Sequence, residues 1–412
     1  MPDPAARSLW RGRVLALVGI LLVASNLRIA VAALSPIYAD VKVAFPLSSV
    51  AVGILGMLPP ICFALAAVFA PMLTRLASLE MLVVIALAAM VLGDVARALS
   101  SSFTVLAVGS AVAFAGMGVG NVLLPPLVKR YFPDRIGLLT SLYAFVISLG
   151  TLVPPLVAVP VADAAGWRFS AGMWVALAVV AALPWTGILV RRRAVRPDPS
   201  DEVEEPEPRM LGRVWHSSVA WSLAVAFAVS SLNAYAMFAW LPQILRDTAG
   251  VSQSTAGDLL SLYAAMGIPA ALLVPVLTAR MKNVAILIYV AVALFFVGYL
   301  GLIFVPQTAT WVWVASAGLG PLLFPLCLVL INLRTRTHEG AVALSSFTQG
   351  VGYILGALGP LAVGVLHQVT GTWTLALSVL AATALAAAVA GAVVARPRLL
   401  EDSMARPGAP AR

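Results

Sequence analysis

Residues 14–37 read VLALVGILLVASNLRIAVAALSPI, and this stretch decides the class of fold. It holds one charged residue, Arg28, about halfway along an apolar run. The run is long enough to cross a bilayer as a helix, which takes ~20 residues. A barrel strand would be half that length and would alternate polar with apolar. Placing an arginine at such depth costs at least ~2.5–3.5 kcal/mol on insertion scales, a cost met where the charge faces a cavity and has a role.

The rest of the chain is of the same kind. Its 412 residues are 61% hydrophobic and 10% charged, with a mean hydropathy of +1.00. That composition excludes a soluble globular domain. Stretches of membrane-spanning length fall at 14–37, 48–72, 81–98, 103–128, 136–160, 169–190, 218–244, 255–279, 284–305, 311–332, 341–366 and 373–395. The expectation is an all-α membrane protein of twelve transmembrane helices, because only helices satisfy the backbone of such continuous apolar runs. The first stretch is too long for a signal peptide and lacks a small-residue cleavage site, so it is expected to stay in the mature protein.

The net charge of +9 reflects topology rather than a nucleic-acid partner. With the N-terminus inside and twelve spans, 21 of the 26 Lys and Arg residues lie in inner regions. Four (Lys42, Arg97, Arg168 and Arg246) lie in outer loops, and Arg28 alone lies in the hydrocarbon zone. Such asymmetry is the positive-inside signature. It places the chain in a bacterial-type inner membrane with both termini cytoplasmic and the bilayer as its surroundings. Cys62 and Cys327 sit in apolar spans and read as buried free thiols. His216, His338 and His367 lack metal-ligand spacing, so no metal site and no cofactor are expected.

Residues 191–216 form the longest polar stretch, opening basic, turning acidic and rich in proline, which reads as a cytoplasmic linker. It divides an N-terminal bundle of six helices (1–190) from a C-terminal one (217–412). The halves echo each other. Pro71-Met72-Leu73-Thr74-Arg75 ends span two, and Pro275-Val276-Leu277-Thr278-Ala279-Arg280 ends span eight. Ser25 precedes Pro36, and Ser231 precedes Pro242, by the same interval. Gly166-Trp167 follows span five, and Gly371-Thr372-Trp373 follows span eleven. Two parallel repeats with a site at the membrane midplane are a known transporter plan. Glycines at 116, 118, 120, 150, 350, 352, 356 and 359, with Pro125-Pro126, Pro154-Pro155 and Pro360, suit close helix packing and kinks.

Several motifs carry a family resemblance: Asn26-Leu27-Arg28 with the following Ser35-Pro36, LLPPLVKRYFPDR (123–135), WLPQIL (240–245), GLGPLLFPLCLVL (318–330) and FTQGVGYILGALGPLAVG (347–364). The chain resembles the major facilitator superfamily and, within it, the cyanate permease / 2-nitroimidazole transporter family. The resemblance covers residues 14–395. It implies the two-bundle fold, a monomer, and a central cavity lined by spans one, four, seven and ten. The loop at Thr74–Glu80 departs from the superfamily's usual pattern, as does span four, which lacks an arginine near its outer half. Any general gating network is therefore not carried over.

Helical spacing then orders the candidate substrate-binding residues. Ser25, Arg28, Ala32 and Ser35 share a stripe on a continuous helix. Arg28 offers a planar fork of donors for an anion, nitro or carboxylate group; the other reading is an interhelical clamp on backbone carbonyls. No carboxylate lies at the same depth to neutralise it, which favours an anionic or electron-rich ligand. Asn26 lies about 200° around the helix from Arg28. It is expected to bond a neighbouring helix, although it stays among the candidates. On span seven Ser230, Asn233, Met237 and Trp240 share a face, with Asn233 as a ligand donor and Trp240 as an outer gate or an interfacial belt residue. Tyr235, on another face, is a lesser candidate. Asn121 in span four reads as cavity lining or helix glue. Gln349 in span eleven ranks above Tyr353, and Tyr143 and Tyr263 are hydroxyl donors.

No acidic residue lies near a midplane. Asp94, three residues before Arg97, reads as a local ion pair rather than a proton relay. The expected function is a transporter of a small polar, anionic or nitrogen-rich solute, cyanate-like or nitroimidazole-like, by uniport, exchange or weak coupling. The alternatives are a multidrug exporter and a transporter-derived sensor. An intramembrane enzyme would need a nucleophile with its base, or a metal pair, at matching depth, and none is placed there.

Overall fold

The computed structural model describes residues 13–191, 212, 214–396 and 398–404. Most of the 191–216 linker lies outside the described residues. Those described are helical, with no strand among them. Among the described residues, twelve helices are long and apolar enough to cross a membrane: Val14–Ala44, Ser49–Ala70, Leu79–Ala98, Phe103–Tyr131, Ile136–Ala165, Trp167–Val190, Ser218–Ala249, Gln253–Arg280, Ala285–Phe304, Thr310–Leu333, Glu339–Thr370 and Thr374–Val394. They are spans one to twelve below.

The ends of these helices follow local chemistry. Ser78, Ser102, Ser217, Ser252 and Thr337 each precede a helix and accept a hydrogen bond from the backbone N–H three residues on. An N-cap of this kind satisfies one of the donors that a helix start leaves open. Gly166 (φ +86°) and Gly371 (φ +68°) close spans five and eleven in conformations that residues with a side chain rarely adopt. Each is soon followed by a buried tryptophan, Trp167 or Trp373. The sequence echo between the halves thus corresponds to a positive-φ glycine in each, although their ψ angles (153° and 5°) give different turns.

The chain divides into two compact units, Met1–Pro46 with Leu65–Val203, and Leu47–Ala64 with Glu204–Arg412. Glycine sets the packing inside each. In the first unit, a Cβ on Gly93 of span three would lie 2.4 Å from the Ala113 backbone N of span four, and one on Gly116 would lie 2.4 Å from the Ala86 carbonyl. In the second, a Cβ on Gly298 of span nine would lie 2.7 Å from the Ala317 backbone N of span ten. Backbones come this close only where the side chain is absent, which is how small residues join membrane helices. Large apolar side chains such as Val68, Leu92, Leu272, Phe304 and Val389 are exposed instead, as a lipid-facing surface requires.

Several spans are not continuous. Span one runs as a helix over Val14–Asn26, breaks at Leu27–Arg28, re-forms over Ile29–Ala32, and passes through a 3₁₀ turn at Ser35–Ile37 before Tyr38–Ala44. Span eight breaks at Met266, span ten turns through a 3₁₀ segment at Gly320–Leu322, and span eleven breaks at Ala357. Span seven, in contrast, is one helix of 32 residues despite Pro242.

Candidate functional site

The break in span one falls at the arginine. At the end of the first segment Leu27 N–H donates to Ala24 O (3.3 Å), an i−3 bond that tightens the helix. Arg28 has φ −131° and ψ −9°, and the ladder resumes from its own carbonyl to Val31 and Ala32. Its side chain is half-buried, and Nη1 donates to the neighbouring Leu27 carbonyl at 3.2 Å. That contact lies within span one and so holds no second helix.

The break also corrects the predicted stripe. On a continuous helix Arg28 would share a face with Ala32 and Ser35, but both are buried. The residues that share its partial exposure are Ser25 and Val31, at a spacing of three. Asn26 is 4% exposed and donates back to Leu22 O at 2.7 Å rather than to a neighbouring helix. Span one packs against spans four and five. There Asn121 and Tyr143 are both half-buried. Close approach is again built on glycine, since a Cβ on Gly120 would lie 2.9 Å from Leu27 and one on Gly150 would lie 2.5 Å from Ser25 O.

In the second unit the predicted face of span seven points inward. Ser230, Asn233, Met237 and Trp240 do share a face, and all four are buried. Asn233 is fully enclosed. Its Nδ2 donates to Val229 O (2.8 Å) and to Thr383 Oγ1 of span twelve (3.1 Å), and its Oδ1 accepts from Tyr299 Oη of span nine (2.7 Å). Three partners use its hydrogen-bonding capacity for helix association. Trp240 is buried, with Nε1 donating to Pro360 O of span eleven at 2.9 Å. It packs beside Trp373, whose Nε1 donates to Asp247 at 3.0 Å and whose ring stacks on His367. In the middle of span seven Leu232, Ala234, Tyr235 and Phe238 keep partial exposure. Tyr235, the lesser candidate, is the polar residue among them.

Gln349 is half-buried and donates to Ser345 Oγ at 2.8 Å, one turn back on its own helix. Tyr353 is buried among Phe63, Phe227 and Tyr235. Tyr263 is also buried, its ring edge-on to Phe238, with no hydrogen-bond partner for its hydroxyl. Cys62 and Cys327 are both buried, in spans two and ten.

The four charges assigned to outer loops all fall in end turns of the helices, and one of them is enclosed. Arg97, assigned to an outer loop, lies in the last turn of span three and is 1% exposed. It pairs with Asp94 at 3.0 Å, as the spacing predicts, and also donates from Nη2 to Ala30 O of span one at 3.0 Å. An i,i+3 acid–base pair reads as a surface feature; nothing local reveals that a third helix covers it.

Comparison with known proteins agrees with this architecture. The family model described as Major Facilitator Superfamily matches residues 16–360. The chain is 30% identical to the uncharacterized transporter YycB of Bacillus subtilis (strain 168), over 98% of each chain. It is 29% identical to the 2-nitroimidazole transporter of Escherichia coli (strain K12), covering 94% of this chain and 97% of that protein. It is 27% identical to the cyanate transport protein CynX of the same organism, covering 87% and 91%. Among solved structures, a bacterial homolog of the human lysosomal transporter Spinster, inward-facing and occupied, superposes with a TM-score of 0.74 over 93% of this chain and 96% of that one, at 15% identity. A twelve-helix membrane protein with this match over most of its length is a membrane transporter that belongs to the Major Facilitator Superfamily.

Proposed function

We propose that this transporter carries a small planar solute that is anionic or rich in nitrogen and oxygen acceptors, cyanate-like or nitroimidazole-like, and that Arg28 is its anchor. One observation carries this reading: the half-buried guanidinium of Arg28 stands at a break in an intramembrane helix. Broken helices in transporters gather their binding groups at such points. An arginine never loses its proton in a protein and binds planar acceptors through two parallel bonds. The similarity to proteins named for 2-nitroimidazole and cyanate transport supports the same ligand chemistry. Asn121, Tyr143, Tyr235 and Gln349 are the partly accessible polar residues that complete the candidate set. Transport proceeds by alternating access between bundles 1–190 and 217–412, in a monomer whose termini face the cytoplasm.

The test is ligand-induced thermal stabilisation of the purified protein in detergent, with cyanate, nitrate, small carboxylates and 2-nitroimidazole. A ligand that binds the folded state raises the melting temperature by mass action. The reading predicts a rise with one of these solutes in the wild type and none in Arg28→Ala, with uptake or efflux of that solute in proteoliposomes. A rise that survives Arg28→Ala would remove Arg28 from the site.

A further inference from the structure

The interruptions in span one leave backbone groups without the partners that a continuous helix supplies. In a membrane interior such groups must be satisfied by protein. Ile29 O is satisfied by Ala33 N–H at 2.9 Å. Ala30 O, near the end of the short Ile29–Ala32 segment, accepts instead from Arg97 Nη2 of span three at 3.0 Å. The other terminal nitrogen of the same guanidinium, Nη1, pairs with Asp94 Oδ1 at 3.0 Å. Both side chains are almost fully enclosed, at 1% and 5% exposure, and the guanidinium lies over the Phe114 ring of span four at 5.8 Å.

The pair is itself held in place. Ser100 Oγ donates to Arg97 O (2.8 Å), and Ser100 O accepts from Arg168 Nη2 (3.1 Å), whose guanidinium covers the ring of Trp167 in span six at 4.4 Å. Arg97 Nε is buried without a partner. A buried ion pair with a donor left open is a poor device for stability alone, since an apolar pair of similar volume serves as well or better. Its geometry has a different product: it ties the carbonyl two residues beyond Arg28 to span three.

We infer that Arg97, neutralised by Asp94, is a positioning residue that fixes the broken segment of span one and thereby sets the direction in which Arg28 presents its guanidinium. The pair itself touches no solute. The inference rests on Arg28 being the anchor only for its effect on binding; its effect on the backbone of span one stands independently.

The experiment uses the full-length protein and two variants, Asp94→Leu/Arg97→Leu and Arg97→Lys. Hydrogen exchange is followed on peptides covering residues 24–37, with thermal stabilisation by cyanate and 2-nitroimidazole alongside. The double variant should melt near the wild type, yet lose protection over 29–37 and bind the stabilising solute about tenfold more weakly, as expected if a misdirected Arg28 loses one charge-assisted bond to it. Arg97→Lys keeps the charge but not the fork. It should also lose protection over 29–37, and it decides the matter if the double variant does not fold. Wild-type protection over 29–37 in the folded variants would overturn the inference. If no solute stabilises the wild type, the Arg28 reading fails while the exchange measurement still decides this one.

Discussion

Span one and span seven open the two halves of the chain, and both carry polar residues in the middle of an apolar run. They use them in opposite ways. Span seven is an unbroken helix, and Asn233 at its centre is enclosed by Val229, Thr383 and Tyr299, which join spans seven, nine and twelve. Span one is broken at Arg28, which keeps partial exposure, while a second arginine from span three satisfies the backbone beyond the break. A polar group inside a membrane protein is therefore not a site by position alone. What separates the two cases is that Asn233 is fully enclosed in an unbroken helix, whereas Arg28 is half-buried at a helix break.

The largest expected difference between them is in binding. Arg28→Ala should weaken binding of the stabilising solute by about tenfold to a hundredfold, the worth of charge-assisted bonds. Asn233→Ala should leave the affinity unchanged. Titrating melting temperature against ligand concentration reads both. A loss of affinity in Asn233→Ala with Arg28→Ala unaffected would invert the assignment.

Stability should show the reverse pattern. Asn233→Ala strands the Tyr299 hydroxyl in a buried setting and removes bonds among three helices, a loss of about 1–2 kcal/mol for interhelical contacts in membranes. Reversible unfolding in mixed micelles measures it, and Tyr299→Phe should recover part of the loss when added to Asn233→Ala, because it removes the stranded group. Additive losses in the double variant would show that the two side chains do not act as a pair.

Accessibility sharpens the comparison further. With the native cysteines replaced, single cysteines at Leu232, Tyr235 and Phe238 should react with a small thiol reagent, whereas those at Asn233, Met237 and Trp240 should not. Labelling at 233 or 237 in a folded variant would mean that the buried face opens during the transport cycle.

The smallest effect lies just beyond span twelve of the second unit. Glu401, in the short helix Leu400–Met404, accepts from Arg336 N–H, Thr337 N–H and Thr337 Oγ1 beside the start of span eleven. Partial burial pushes its carboxyl upward, but these hydrogen bonds outweigh it and leave the pKa below its ordinary value of 4.5. A depressed folded pKa gives stability that is present above 4.5 and lost as pH falls below it. The melting temperature of Glu401→Gln should thus lie below wild type at pH 7, and the gap should close toward pH 3.5. A gap that stays constant with pH would show that the carboxylate charge plays no part.

Much of this was legible in the sequence. The twelve spans follow from run length, and their observed ends differ from the predicted ones by a few residues where Ser and Thr caps and charged last turns extend the helices. The Asp94–Arg97 pair was legible from its spacing. The face shared by Ser230, Asn233, Met237 and Trp240 was legible from helical periodicity, but periodicity does not say which neighbour a face meets. The enclosure of Arg97 was not legible, because the residues that cover it, Ala30 O of span one and Phe114 of span four, lie on other helices.

The amino-acid sequence by itself determined that the chain crosses the membrane as helices and that one arginine stands mid-span, because apolar length and a lone charge are properties of the run itself. Only the tertiary structure decided that span one breaks at that arginine, that Arg97 bonds the Ala30 carbonyl beyond it, and that Asn233 and Trp240 are buried and bonded to other helices. Those outcomes depend on which donors and acceptors other helices bring to a given depth, and no stretch of sequence contains its own neighbours.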